Sequence, residues 1–323
     1  MAAFLGRRIA QGAVVVALVA TIVFLLIRLA PGDPFAASMA DPRISESVRN
    51  EWRRSYGLDL PISQQYLRYV ASVAKGDLGF SFSLQRPVRS VLADALPNTL
   101  LLMAVALIAS FAAGIAVALA QVRRRGRLSD RVLGGVSLLF FSVPDFWLAL
   151  LILTLFAYWG PFPIGGAVDP TSHDLLGPAG RIVDRLNHVV LPALTLTLLY
   201  FPLIARHQRA ALLDELPSDY VTTARSKGLT EKAILSRHTL RNALLPVIAL
   251  FGLAFPALLT GAVFVEKVFS WPGMGLTIVN AIDSRDYPLL TACVLLGSAF
   301  VVAGGILTDL LYRRFDPRLR DEL

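Results

Sequence analysis

Charge-free apolar runs recur along the chain at Ile9–Ile27, Ala95–Val122, Leu186–Ala205, Asn242–Val265 and Tyr287–Thr308. Each is near or above the roughly 20 residues that a spanning helix needs. A sixth run, Val132–Trp159, is interrupted only by Asp145. The pattern predicts six membrane-spanning helices. The first run follows Arg7 and Arg8 and precedes Ala-Ser-Met-Ala at 37–40, as a signal peptide would. It is longer than the roughly 7–15 residues of a signal core, so it reads as a retained helix. The polar segment after it opens with Pro31-Gly32-Asp33-Pro34, through which no helix can run. Apolar residues then recur at helical spacing around Arg49–Tyr56 and Ser63–Val73. Trp52, Tyr56, Tyr66 and Tyr69 suit an interfacial aromatic belt. No internal repeat of the kind that builds many secondary transporters is visible.

Composition supports this reading. Of the 323 residues 55% are hydrophobic and 17% charged, too apolar for a soluble globule and far too apolar for a disordered chain. The net charge of +8 concerns topology and anionic lipid rather than nucleic acid. With the N-terminus inside, alternate segments place Arg123, Arg124, Arg125, Arg127 and Arg131 in one short inner loop. The inner segments then carry the excess of basic residues and both termini are cytoplasmic. A single cysteine, Cys293, excludes a disulfide framework and a cysteine-based zinc site.

The inner segment Arg206–Arg241 is too long for a simple turn. Ser218 is placed to cap a helix with Asp219 in its first turn, and Arg225 and Lys227 lie at its basic end. Gly228 stands where a left-handed residue ends a helix. Thr230 is placed to cap a second helix through Glu231-Lys232-Ala233-Ile234, which leads to Leu244-Leu245-Pro246. A solvated basic loop with an interfacial helix fits this spacing. So does a rigid elbow, tethered to two spanning helices, that receives a push from a soluble partner.

The stretch Asp219-Tyr220-Val221 … Ala224-Arg225-Ser226-Lys227-Gly228-Leu229, then Arg237-His238 … Arg241-Asn242-Ala243-Leu244-Leu245-Pro246, resembles the cytoplasmic "EAA" loop of binding-protein-dependent ABC importer permeases. The resemblance is to the dipeptide/oligopeptide/nickel subfamily and its "B"-type subunit. It extends over nearly the whole chain. Leu29-Ala30-Pro31-Gly32-Asp33-Pro34, Tyr56-Gly57-Leu58-Asp59, Lys75-Gly76-Asp77-Leu78-Gly79, Leu96-Pro97-Asn98-Thr99-Leu100, Glu266–Gly275 and Arg285-Asp286-Tyr287-Pro288 follow in the family's order. Two departures stand out. Thr222 and Thr223 replace the consensus Glu and Ala, with only Ala224 retained. The Leu245-Pro246 pair falls 17 and 18 residues after Gly228, later than in the sugar-importer branch, as it does in the peptide branch.

The resemblance implies an all-α integral membrane protein of the type I ABC importer (MetI-like) fold in a bacterial or archaeal cell membrane. It would comprise a first helix at 1–30, an extracytoplasmic segment at 31–97, a five-helix core at 98–312 and a cytoplasmic tail at 313–323. The coupling loop would occupy 206–243, with Asp219, Tyr220, Val221, Thr222, Thr223, Ala224, Arg225, Lys227, Gly228, Leu229 and Lys232 facing the ATPase. Implied partners are a second homologous permease, two cytoplasmic ABC ATPases and an extracytoplasmic binding protein. No cofactor is expected on this chain, since ATP and magnesium belong to the ATPases. None of its four lysines lies in a G-x-x-x-x-G-K-[ST] phosphate loop. Di- or oligopeptides lead as substrate, with nickel chelates, haem and oligosaccharides as alternatives in the same family.

Asp145, after Pro144, is the one ionisable residue well inside a predicted span. It either lines the path, attracting an ammonium or metal ion, or caps backbone donors at a proline kink. The family supplies no role for it. Glu266 and the Trp271-Pro272-Gly273 turn, with Pro and Gly at the second and third positions, either shape the outer mouth and meet the binding protein or stiffen a loop. The four histidines, His173, His188, His207 and His238, show no ligand spacing, and no metal site is expected. A proton-coupled carrier would need more intramembrane acids than Asp145. A membrane enzyme would need a nucleophile or metal set that is not present.

Overall fold

The computed structural model describes residues 2–29 and 60–315, with positions 45, 47 and 54 between them. The Pro31–Pro34 turn, most of Arg49–Tyr56, the Tyr56–Asp59 motif and the tail beyond Phe315 lie outside the described residues. The elements are α1 (Ala2–Leu29), α2 (Ile62–Ala74), β1 (Phe80–Ser81), β2 (Arg86–Pro87), α3 (Val88–Arg123), α4 (Leu128–Ser142), α5 (Asp145–Trp159), α6 (Pro178–Glu215) and α7 (Asp219–Ser226). They continue with α8 (Glu231–Ala233), a wide turn at Ile234–Thr239, α9 (Leu240–Ala243), α10 (Leu245–Val268), α11 (Met274–Asp283) and α12 (Tyr287–Phe315). The short antiparallel hairpin, Phe80 opposite Pro87 and Ser81 opposite Arg86, was not anticipated.

Among the described residues, four helices are long and apolar enough to cross a membrane: Phe4–Leu29, Val88–Arg123, Pro178–Glu215 and Tyr287–Leu310. The span expected at Val132–Trp159, interrupted there only by Asp145, is two helices, α4 and α5, bent by 107°. Proline lacks an amide hydrogen and disfavours helical geometry at the residue before it. Accordingly Val143 (φ −82°, ψ 132°) and Pro144 (φ −62°, ψ 140°) are both extended. Helix α10, of 24 residues, occupies the remaining expected segment. Helix α6, with 38 residues, is about 57 Å long at about 1.5 Å per residue. That is nearly twice a hydrocarbon core of about 30 Å, so it must project beyond the membrane. The ten residues from Arg206 to Glu215, expected as the start of a loop, are its final turns.

The described residues form two compact units, one of residues up to Asn98 with Gly273–Val302, the other of Thr99–Pro272 with residues from Ala303 onward. In the first, Val88, Leu92 and Ala95 of α3 pack with Met274 and Ala281 of α11 and Leu289, Ala292 and Cys293 of α12. Helix α1 closely approaches α12 at Gly12, where an added Cβ would lie 2.2 Å from Val302 Cγ1. The absent side chain lets the backbones come this near, as at small-residue crossings of membrane helices. In the second unit, Leu102 and Ala106 (α3), Leu148 and Ile152 (α5), Leu191 and Leu196 (α6) and Val265 (α10) form one core with Phe269 and Trp271.

Candidate functional site

The elbow between α6 and α10 is built from local rules. Ser218 stands at the N-terminus of α7, and its backbone carbonyl accepts from Val221 and Thr222 at 3.0 and 3.2 Å. Its hydroxyl makes no capping bond, contrary to expectation. At the other end the Gly228 amide donates to Arg225 O (2.9 Å) and the Leu229 amide to Ala224 O (3.3 Å). With Gly228 at φ +74°, these two bonds close α7 in the Schellman geometry that glycine favours. Thr230 does cap the next helix: its Oγ1 accepts from the Ala233 amide at 3.3 Å.

Across the bend, Val221 and Ala224 of α7 bury against Ile234. Arg225 donates to both carboxylate oxygens of Glu231, at 2.8 and 3.4 Å. This contact raises the Arg225 pKa and lowers that of Glu231. Both side chains are solvent-exposed, so the pair contributes little to stability and orients rather than holds. Tyr220 donates its hydroxyl to Glu215 Oε2 at 2.6 Å, tying α7 to the end of α6. Partial burial, reinforced by that carboxylate, raises its pKa. Asp219, Tyr220, Thr222, Thr223, Arg225, Lys227, Gly228, Leu229 and Lys232 are exposed, whereas Val221 and Ala224 are buried. The expected coupling residues thus separate into a packed spine and an outward face.

The elbow is anchored where sequence reasoning gave no sign. Ala211 and Leu212 of the α6 extension pack with Leu235, Ala243, Ala118 and Val122. Gln208, fully buried on α6, donates its amide to Ala243 O at 3.0 Å. Nearby in sequence, Arg209 reaches Asp130 Oδ2 at 3.2 Å, and the same oxygen accepts from the Gly126 amide at 3.0 Å. The arginine-rich loop after α3 is therefore tied to α6. These partners lie tens of residues apart, and no periodic signal announces them.

The other candidates fall elsewhere. Asp145 is half-buried at the first position of α5, at the bend rather than within a continuous helix. Glu266 is fully buried and accepts from Thr99 Oγ1 at 2.7 Å. Trp271 is also fully buried, which fits a stiffened turn rather than a docking surface. The expected turn is corrected as well. The left-handed residue is Ser270 (φ +50°), while Gly273 is extended (φ −105°, ψ −171°) and immediately precedes α11. His173 and His188, without ligand spacing, converge on Asp184. His173 Nδ1 lies 2.6 Å from Asp184 Oδ2, and His188 Nδ1 lies 2.8 Å from Asp184 O. Among the described residues no group of histidine, cysteine and carboxylate side chains is arranged to hold a metal ion.

Residues 110–321 match the family of binding-protein-dependent transport system inner membrane components. Residues 1–103 match the N-terminal part of such membrane components. This chain belongs to that family. It is an inner-membrane permease with several apolar helices, of a family whose members are transport subunits rather than enzymes. It is 36% identical over 321 residues to the oligopeptide transport system permease AppB of Bacillus subtilis, covering 99% of each chain. It is 34% identical over 313 residues to the dipeptide transport system permease DppB of Escherichia coli K12, covering 92% of each. The glutathione transport system permease GsiC of Salmonella paratyphi A is 36% identical over 304 residues, with 94% of each covered. The fold matches that of the MetNI methionine ABC transporter in an inward-facing form. The TM-score there is 0.57 at 18% identity, over 70% of this chain and 96% of that one.

Proposed function

We propose that this chain is the permease subunit of an ATP-driven, binding-protein-dependent importer of di- or oligopeptides. In this reading it pairs with a second homologous permease, two cytoplasmic ATPases and an extracytoplasmic binding protein, and has six spans with both termini cytoplasmic. The peptide assignment draws on the relatives, whose names specify oligopeptides, dipeptides and glutathione.

The observation that carries the mechanism is the elbow. Helix α7 presents exposed Thr222, Thr223, Arg225 and Lys227 on one side and buries Val221 and Ala224 on the other. A push on its exposed face passes through that spine and the Gln208–Ala243 bond into α6 and α10, two elements of one packed core. Closure of an ATPase dimer thereby becomes movement of spanning helices and alternates access to the path. Asp145 is half-buried beside the α4–α5 bend, and in this reading its carboxyl lines the path and attracts the peptide ammonium. ATP and magnesium are bound by the ATPases.

An affinity pull-down in mild detergent from the native host, read by mass spectrometry, tests the assembly. Recovery of a second permease, phosphate-loop ATPases and a secreted binding protein is expected. Recovery of the chain alone, or only as a homo-oligomer, overturns the proposal.

A further inference from the structure

Five arginines, Arg123, Arg124, Arg125, Arg127 and Arg131, fall within nine residues where α3 turns into α4. Gly126 is left-handed (φ +79°), and the Arg127 amide donates to Arg124 O at 3.0 Å. Arg124, Arg125 and Arg127 therefore share one tight turn, and Arg131 lies one helical turn beyond Arg127. All five are exposed. The one carboxylate of this stretch, Asp130, is buried and already engaged by Arg209 and the Gly126 amide. Among the described residues none of the five arginines forms an ion pair or a side-chain hydrogen bond.

Two spanning helices fix the depth of the turn. The charge-free run of α3 ends at Val122, immediately before Arg123. That of α6 ends at Ala205. Arg209, which pairs with Asp130, lies four residues beyond it, about 6 Å at about 1.5 Å per residue. Both helices thus bring the arginines to headgroup level at one face of the bilayer. Helix α6 continues to Glu215 before the elbow begins, so the turn stands closer to the bilayer than the end of α6.

Helix α4 adds an apolar surface beside this charge. Leu128 (76% exposed), Val132 (54% exposed), Val136 and Leu139 succeed one another at three- or four-residue spacing, so they share one exposed face. Arg131, three residues from Leu128, falls on the same face. An exposed apolar stripe that ends in guanidiniums matches both halves of a phospholipid, whereas a soluble anion would use only the charge.

We propose that the α3–α4 turn binds an anionic phospholipid. Its phosphate is held by Arg124, Arg127 and Arg131, and an acyl chain lies along Leu128, Val132 and Val136. Guanidinium–phosphate pairs are strong, charge-assisted contacts. A zwitterionic headgroup brings its own cation and gains less from this cluster. Through the Asp130–Arg209 pair the lipid is held against α6, the helix that carries the elbow. The proposal rests on membrane residence and not on substrate or ATPase, so its failure leaves the importer reading intact.

The full chain, in nanodiscs of mixed phosphatidylglycerol and phosphatidylcholine, is photolabelled with a diazirine analogue of one lipid or the other. Labelled peptides are mapped by mass spectrometry. The phosphatidylglycerol probe is expected to label 123–139 at least about fivefold more than the phosphatidylcholine probe, the preference that about one basic residue near the surface supplies. The triple variant Arg124→Gln, Arg127→Gln, Arg131→Gln is expected to lose most of that preference. Arg124→Lys, Arg127→Lys, Arg131→Lys, which retains the charge, keeps it.

If the glutamine variant misinserts, the unaltered chain still decides. Raising salt from about 0.1 to about 1 M shortens the Debye length from about 10 to about 3 Å. Phosphatidylglycerol labelling is then expected to fall at least about threefold while phosphatidylcholine labelling holds. Equal labelling by the two probes, or a preference that survives both the glutamine variant and high salt, overturns the site. Competition by inorganic phosphate beyond that of sodium chloride at equal ionic strength marks a free-anion site and also overturns it. So does loss of labelling once the other transport subunits are added, which places the turn under a protein partner.

Discussion

Ser81 donates its hydroxyl to Asp286 Oδ2 across 2.6 Å, joining the hairpin after α2 to the residue that opens α12. Both residues are fully buried. The same oxygen accepts from the Ser83 amide and hydroxyl at 3.0 and 2.7 Å, and the other oxygen accepts from the Leu289 amide at 3.2 Å. One carboxylate thus closes the hairpin and caps a spanning helix.

Replacing Asp286 with Ala leaves buried donors without an acceptor, at a cost of about 1–3 kcal/mol. The detergent-solubilised chain is expected to melt at a lower temperature, with Asp286→Asn intermediate because its amide retains one accepting oxygen. A melting temperature unchanged in both variants would show that the latch adds no stability.

Gly228 is open to solvent, with no atom near an added Cβ. Substitution there acts through the backbone, and a left-handed L-residue costs about 1–2 kcal/mol. Gly228→Val is expected to express normally, yet to uncouple ATP hydrolysis from peptide uptake in the assembled importer. Gly228→Asn, which tolerates positive φ, retains most transport. Normal uptake by Gly228→Val removes the elbow from the mechanism.

Gln208→Leu preserves bulk and deletes the donor to Ala243 O. The buried carbonyl then costs about 1–3 kcal/mol, and hydrogen exchange at 240–248 is expected to quicken while that of α1 is unaffected. Unchanged exchange at 240–248 means that hydrophobic packing alone anchors the elbow.

Asp145→Asn removes one charge at the α4–α5 bend and keeps the shape of the side chain. If the carboxyl lines the path, uptake of lysine-containing dipeptides falls more than that of glutamate-containing ones. An equal fall for both reassigns Asp145 to the geometry of the bend.

Much of the architecture was legible because its causes are local. The length of an apolar run predicts a spanning helix, and the match at α1, α3, α6 and α12 follows from that alone. Pro217, Gly228 and Thr230 marked the limits of the elbow helices within a few residues, since caps and left-handed turns depend on immediate neighbours. Pro144 marked a kink in the sixth run, but not the 107° bend that makes it two helices.

The sequence by itself determined the class of the protein, its membrane residence and the helix–glycine–helix form of the elbow, because hydrophobicity, charge and backbone preference act over a few residues. Only the tertiary structure decided that α6 runs ten residues past its apolar core, that Trp271 and Glu266 are interior, and that His173 and His188 share Asp184. It also decided that Ser81 finds Asp286. Those outcomes depend on which surfaces meet after the chain has folded. A hydrogen bond between residues 205 positions apart leaves no periodic trace in either of the segments it joins.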